Sequence, residues 1–212
     1  MQTKEIRFEN PGVLCMTAPQ DIFSELKDSC LRQLTNKNIN YNLKRAKVTD
    51  LSVSGIEEVI WAQVPQTFVN FLEDCSREYV NFYQIENLRN LKPAVVHNWL
   101  NLQKRYEYRP IHRHYNGKGN GLSFVAYIQI PYDLEIEDQH SNHHKKATVH
   151  RNGRIEFMYS TYNGQITSKL LDIDKTYEGK VLIFSNELWH IVYPFYTSED
   201  YRVSLAGNIE LS

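Results

Sequence analysis

The sequence predicts an α+β fold that is mainly β, with two helices leading and a sandwich or barrel of strands following. Three observations predict it. Apolar residues recur at helical spacing in the first part and alternate with polar ones after Pro93. An Asn163-Gly164 pair separates two β-like runs, which is a hairpin signature. Tyrosine is abundant, with 14 copies in a chain that is 12% aromatic, and such side chains suit strands and half-polar cavities.

Residues 19–34 place Phe23, Leu26, Cys30 and Leu34 on one helical stripe. A second helix begins near Pro65, a residue accepted at a first helical position, and its face is Phe68, Leu72, Cys75, Tyr79 and Phe82. Each helix has one apolar face, so each should lie against something. Residues 94–103 then alternate: Val96, Leu100 and Leu102 share a face with Asn98, while His97, Trp99, Asn101 and Gln103 share the other. With helices outside the sheet, the apolar face meets them and the amide-bearing face lines an interior. Residues 122–130 set Phe124, Ala126, Ile128 and Ile130 against Val125, Tyr127 and Gln129. Residues 133–152 are polar and charged and read as a long loop, a candidate lid. Five further β-like runs follow: RIEFMYS, QITSKLLDI, KVLIFS, ELWHIVYPF and YRVSLAGNIEL. The expectation is one domain over 1–212, with 1–92 as a helical support region and 93–212 as the barrel core.

Composition narrows the function. A formal net charge of −1 gives no support for nucleic-acid binding through phosphate neutralisation. Cys15, Cys30 and Cys75 are an odd count at irregular spacing without a CxxC, and are expected to be reduced and mostly buried. The first residues, MQTKEIRFENPG, have no apolar signal-like core, and no apolar run approaches a membrane span. A cytoplasmic location and no membrane partner are the expectation.

Three features converge on a candidate site. His112 and His114 are two residues apart, so on a strand both imidazoles point to one side and can share a metal. Such a pair is a weak motif by itself. His190 follows a buried-looking strand many residues later; alone it reads as a structural histidine. Arg202 and Ser204 share a strand face beyond it, and a guanidinium beside a hydroxyl makes a cradle for a carboxylate. A surface salt bridge is the plainer alternative, but Val203, Leu205 and Ala206 around Arg202 indicate burial, and a buried arginine needs an anionic partner. His97 reads as a hydrogen-bonded interior residue near Trp99. His140, His143, His144 and His150 read as a solvated loop rather than a second metal site.

In this order, strand, HxH, β-rich interval, His and RxS, the sequence resembles the 2-oxoglutarate/Fe(II) oxygenase superfamily, most of all oxygenases of bacteriophages and some bacteria. The resembling stretches are WLNLQKRYEYRPIHRH, LSFVAYIQIP, EGKVLIFSNELWHIVYPF and YRVSLAGNI, roughly the last half of the chain. The resemblance implies a double-stranded β-helix, or jelly roll, with the N-terminal helices on the outer face of one sheet. It implies Fe(II) and 2-oxoglutarate, with His112, His114 and His190 as metal ligands and catalytic centre. It implies Arg202, helped by Ser204, as anchor of the co-substrate's far carboxylate, and Asn101, Gln103 and Tyr127 as further co-substrate contacts. The implied reaction is hydroxylation of a small-molecule or peptide substrate, in a host cytoplasm if the chain is phage-encoded. His114 stands where the superfamily norm is a carboxylate, which leaves the iron more positively charged and suits other metals too. Were His114 not a ligand, water, Glu107 or Asp133 could take its place. Two alternatives compete: a three-histidine cupin-like dioxygenase that does not use 2-oxoglutarate, and a non-enzymatic jelly-roll binding or virion-associated protein.

Overall fold

Period-two alternation over most of the second half becomes two antiparallel sheets. The computed structural model describes residues 12–35, 58–114, 121–140, 149–161 and 163–212, with backbone only at 35 and 58–60. The elements in chain order are β1 (Val13–Thr17), α1 (Gln20–Thr35), β2 (Glu58–Trp61), α2 (Gln66–Phe82), β3 (Pro93–Gln103), β4 (Arg109–His112), β5 (Gly121–Gln129), α3 (Leu134–His140), β6 (Ile155–Ser160), β7 (Ile166–Leu171), β8 (Lys180–Ser185), β9 (Trp189–Val192) and β10 (Arg202–Leu211). A six-stranded sheet runs β1-β8-β5-β10-β3-β2, and a four-stranded sheet runs β4-β9-β6-β7. Chain neighbours β3 and β4 lie in different sheets, as do β5 and β6, and the chain returns to the large sheet with β8 and β10. This is the double-stranded β-helix expected. The first 92 residues supply more than helices, because β1 and β2 extend the large sheet at its two edges.

Two apolar clusters hold the layers. One lies between the helices and the outer face of the large sheet, where Leu26, Cys30, Phe68, Leu72, Cys75 and Tyr79 meet Leu100, Phe124, Ile128, Ile183 and Leu205. The other fills the space between the sheets, with Tyr127, Tyr132, Ile155, Phe157, Phe184 and Phe195. Each fully buried aliphatic or aromatic side chain contributes about 1.5–3 kcal/mol. All three cysteines are free; Cys30 and Cys75 are buried and Cys15 is exposed.

Four expectations are corrected. Val96 is exposed, and Val95 packs on the helix-side core instead. The cause is a bulge: Asn208 pairs with His97 but Ile209 with Val95, so the faces of β3 exchange below His97. Ile130 lies past the end of β5 and turns into the inter-sheet cluster. Phe82, at the last position of α2, is 62% exposed, because the helix ends as its stripe leaves the sheet. The stretch expected as a loop from 133 to 152 begins with α3. That helix is tied down rather than loose: buried Glu137 accepts hydrogen bonds from the backbone N–H groups of Tyr196 and Thr197, at 2.9 and 2.7 Å. The Arg154 guanidinium, bonded to Asp172, also pairs with Asp138 at 2.6 Å.

Candidate metal centre

His112 and His190 meet because β4 and β9 pair antiparallel with these two residues directly opposite each other. His114 lies just past the end of β4, and its backbone N–H donates to the Asn186 carbonyl at 2.8 Å, which keeps the second imidazole beside the first. Ring centroids of His112 and His190 are 4.2 Å apart, and His114 stands 5.2 and 5.3 Å from them. One ring nitrogen from each histidine lies within 4.8 Å of the others.

Two of the three rings are held in a ligating tautomer. His112 Nδ1–H donates to the Pro110 carbonyl at 2.7 Å, and His190 Nδ1–H donates to the Leu188 carbonyl at 3.0 Å. Each bond leaves the Nε2 lone pair available for a metal. His114 is positioned by stacking on Trp99, with centroids 5.4 Å apart and planes 14° from parallel. Burial pushes all three imidazoles below their ordinary pKa. His114 falls to about 4 and His190 to about 3, with the charges of His112 and Arg109 adding to the burial effect. At neutral pH all three are uncharged, the form that binds metal without first releasing a proton. Among the described residues these three form the only group that could hold a metal ion. A set of three neutral nitrogen donors fits Fe(II), though not Fe(II) alone.

The three histidines open onto a small cavity of about 50 Å³, which Arg202, Ser204, Asn101 and Tyr127 also line. Asn101, Ser204 and Tyr127 stand in a row across β3, β10 and β5, because Ser204 is opposite Asn101 on one side and Tyr127 on the other. Asn101 donates to the Ser204 hydroxyl at 3.3 Å. Arg202 is 3% exposed. It donates to the Tyr132 hydroxyl at 3.0 Å, to the Gly153 carbonyl at 3.1 Å and to the Gln103 side-chain oxygen.

Gln103 is therefore placed differently from its expected contact role. It is buried beside Arg202, directly opposite it in the β3–β10 ladder, and does not reach the cavity lining. His97 is exposed and tilts against Trp61 rather than lying inside. Glu107 turns back to accept from the Lys104 N–H, and neither it nor Asp133 joins the histidine group. His140 stacks on Tyr196, 6.0 Å away; His143 and His144 lie outside the described residues. Sequence reading passed over Arg109, which lines the cavity beside His112. It also passed over Tyr132 and Gly153, the neighbours that hold Arg202.

Fold and site together define a double-stranded β-helix protein with a histidine triad that could hold a metal, facing a buried arginine. The family model described as "Putative 2OG-Fe(II) oxygenase" matches residues 97–208, and the chain belongs to that family. It is an enzyme of the oxygenase class, and membership implies Fe(II) and 2-oxoglutarate. The non-enzymatic alternative is thereby set aside. Among solved structures, a Pseudomonas putida prolyl-4-hydroxylase is similar at 16% identity and TM-score 0.57, covering 94% of this chain and 92% of that one. AviO1 from Streptomyces viridochromogenes Tue57 is similar at 12% identity and TM-score 0.55, covering 96% and 91%. The non-heme alpha ketoglutarate dependent carbocyclase SnoK from nogalamycin biosynthesis is similar at 7% identity and TM-score 0.57, covering 95% and 80%. These likenesses are of fold. No curated protein matches the chain significantly.

Proposed function

We infer that the chain is a 2-oxoglutarate-dependent Fe(II) hydroxylase in which His112, His114 and His190 hold the metal and Arg202 anchors the co-substrate. The observation that carries this reading is the convergence of three neutral imidazoles on the same cavity as a buried guanidinium. Held there, Fe(II) with 2-oxoglutarate would supply the chemistry by which one dioxygen molecule is consumed, one oxygen atom turning a C–H bond into C–OH and the other entering succinate as the keto acid loses carbon dioxide.

The chain's own contribution is placement and exclusion of water. Backbone carbonyls of Pro110 and Leu188 fix the tautomers of two ligands. Arg202 presents its fork to the far carboxylate of 2-oxoglutarate, with its geometry set in advance by Tyr132, Gly153 and Gln103. Ser204, Asn101 and Tyr127 offer hydroxyl and amide groups to the same cavity, side by side on the large sheet. Tyr127 is buried, which pushes its phenol pKa up and keeps it a hydrogen-bond donor. Phe157 and Phe184 pack around His190 and keep that side dry.

The test is binding of 2-oxoglutarate to metal-loaded protein by calorimetry. Arg202→Ala is expected to lose about 3–5 kcal/mol of binding, the usual cost of removing one partner from a buried ion pair. Equal affinity in parent and variant would refute the anchor. One observation favours a second reading, a three-histidine dioxygenase that needs no 2-oxoglutarate: the ligand group contains no carboxylate. Oxygen uptake that proceeds without added 2-oxoglutarate would select it.

A further inference from the structure

A second cavity, of about 280 Å³, adjoins the metal centre and has no task in the reading above. Among the described residues His114 is the one common to both linings. The inner face of β10 sets the two cavities in order. Arg202, Ser204 and Ala206 line the first, and Asn208, next on the same face, lines the second. Strand β3 repeats this order, with Asn101 and Trp99 in the first lining and His97, opposite Asn208, in the second. From Arg202 to Asn208 an extended strand covers about 20 Å. The cavities therefore lie end to end along the large sheet, with His114 between them. A co-substrate held by Arg202 and the metal leaves the second cavity clear, beyond the metal.

That cavity contains an unmet polar group. Asn186, in the turn from β8 to β9, lines it and is 2% exposed. Its backbone is fully engaged: the N–H donates to the Gly121 carbonyl at 3.1 Å, and the carbonyl accepts from the His114 N–H at 2.8 Å. Its side-chain oxygen is buried and has no hydrogen-bond partner among the described residues. A buried acceptor without a donor costs stability, and folding alone would be served better by an apolar residue there. Three aliphatic side chains, Val96, Leu122 and Ile209, line the same cavity. Its charged side chains among the described residues, Arg113 and Glu210, are of opposite sign, and Arg113 pairs with Glu187 at 2.5 Å. The lining thus suits a neutral molecule that brings a hydrogen-bond donor on an apolar body.

We propose that this cavity receives the prime substrate and that Asn186 accepts a hydrogen bond from its amide N–H, so that the enzyme oxidises a neutral, amide-bearing molecule. The proposal rests on the Fe(II) and 2-oxoglutarate reading and adds the substrate class to it. An amide suits a carboxamide better than a hydroxyl does, because each amide offers the other both a donor and an acceptor. Filled in this way, the orphaned oxygen of Asn186 becomes a selective contact: a molecule of the same shape without the N–H leaves it unpaired.

The experiment uses the full chain loaded with Co(II) and saturated with 2-oxoglutarate. Two probes carry the amide N–H: isobutyramide stands for a free carboxamide and N-acetylvaline N-methylamide for a peptide. N,N-dimethylisobutyramide, which has no N–H, is the control. Paramagnetic relaxation of the methyl protons reports a probe held near the metal. At least one amide probe is expected to bind saturably in the parent, and the tighter of the two identifies the source of the amide. The control should bind roughly fivefold or more weakly, the usual effect of leaving one hydrogen bond unmade. In Asn186→Ala the amide probe should weaken by a similar factor and its advantage over the control should vanish. Affinity for 2-oxoglutarate should stay within about twofold, as for independent sites. Urea unfolding of the probe-free variant should show a midpoint no lower than the parent's, because no side-chain hydrogen bond is lost. A lower midpoint would mean that the Asn186 amide serves the fold, and would overturn its assignment. Equal binding of amide and control by the parent, unchanged amide binding in Asn186→Ala, or no binding of any probe by a parent that takes up 2-oxoglutarate would overturn it as well. A parent that binds no 2-oxoglutarate overturns the underlying reading instead.

Discussion

His114 carries the chemical question at the scale of single residues, because it stands where a carboxylate is the superfamily norm. As a ligand, its removal should cost more metal affinity than the roughly 10–100-fold loss typical of deleting a group that only orients a ligand. Co(II) titration of His114→Ala, followed by visible absorption, measures this; unchanged affinity would mean that only His112 and His190 bind. Gln103 is expected to behave otherwise. Gln103→Ala should weaken 2-oxoglutarate binding less than Arg202→Ala does, because Tyr132 and Gly153 still hold the guanidinium. The same calorimetric titration gives that comparison. His112, His190 and Arg202 were legible in the sequence because each lies within a strand, and His114, just past the end of β4, because it stands two residues from His112. Arg109 was not, because the bulge that turns it inward depends on how β4 pairs with β9. Gln103 was assigned to the correct face of β3, but a strand face does not say which neighbour stands between a side chain and the cavity.

Elements depend on close approach and on buried polar anchors, and both yield predictions. Gly207 sits where β10 passes His97 and Phe124. A Cβ there would lie 2.3 Å from the His97 carbonyl oxygen and 2.5 Å from the Phe124 ring. Gly207→Ala must therefore spread β10 from β3 or shift a buried ring, and overpacking of this kind costs about 1–3 kcal/mol. A fall in the urea unfolding midpoint at unchanged slope would show it; an unchanged midpoint would mean the strands separate without cost. Helix α3 depends on Glu137, whose carboxylate also accepts from the Thr197 hydroxyl at 2.5 Å. Glu137→Ala leaves buried donors unsatisfied at about 1–3 kcal/mol each, and should raise hydrogen exchange in α3 and at 196–197 before it unfolds the barrel. These elements also mark where sequence reading stopped. The long strands, the Asn163-Gly164 hairpin and the two long helices are written in local periodicity. Helix α3 is short and strongly acidic, and what makes it stable is Glu137 reaching residues far along the chain, which periodicity cannot encode. The misplaced face at Val96 has the same origin, since a bulge belongs to a pair of strands rather than to one.

Over the whole molecule, the buried histidines tie stability to pH and to metal. Free imidazole titrates near 6.5, whereas in the fold His114 and His190 stay neutral down to about 4 and about 3. The unfolded chain therefore takes up protons that the folded chain refuses. Their contribution is fully present above pH 6.5 and is lost as pH falls from there towards the folded values. Within that window each such group adds a slope of about 1.4 kcal/mol per pH unit. Metal should steepen the dependence, because a ligated imidazole cannot be protonated without losing the ion. At neutral pH, metal at a hundred times its dissociation constant should add about 2.7 kcal/mol of stability. Urea unfolding of the metal-free chain at pH 8, 6.5 and 5 should show stability falling with pH, and His190→Gln should flatten that fall. A chelator should erase the added stability of the metal-loaded parent and leave His190→Gln, which lacks one ligand, little changed. Equal pH slopes in parent and variant would mean that the buried triad does not govern the acid sensitivity of the fold.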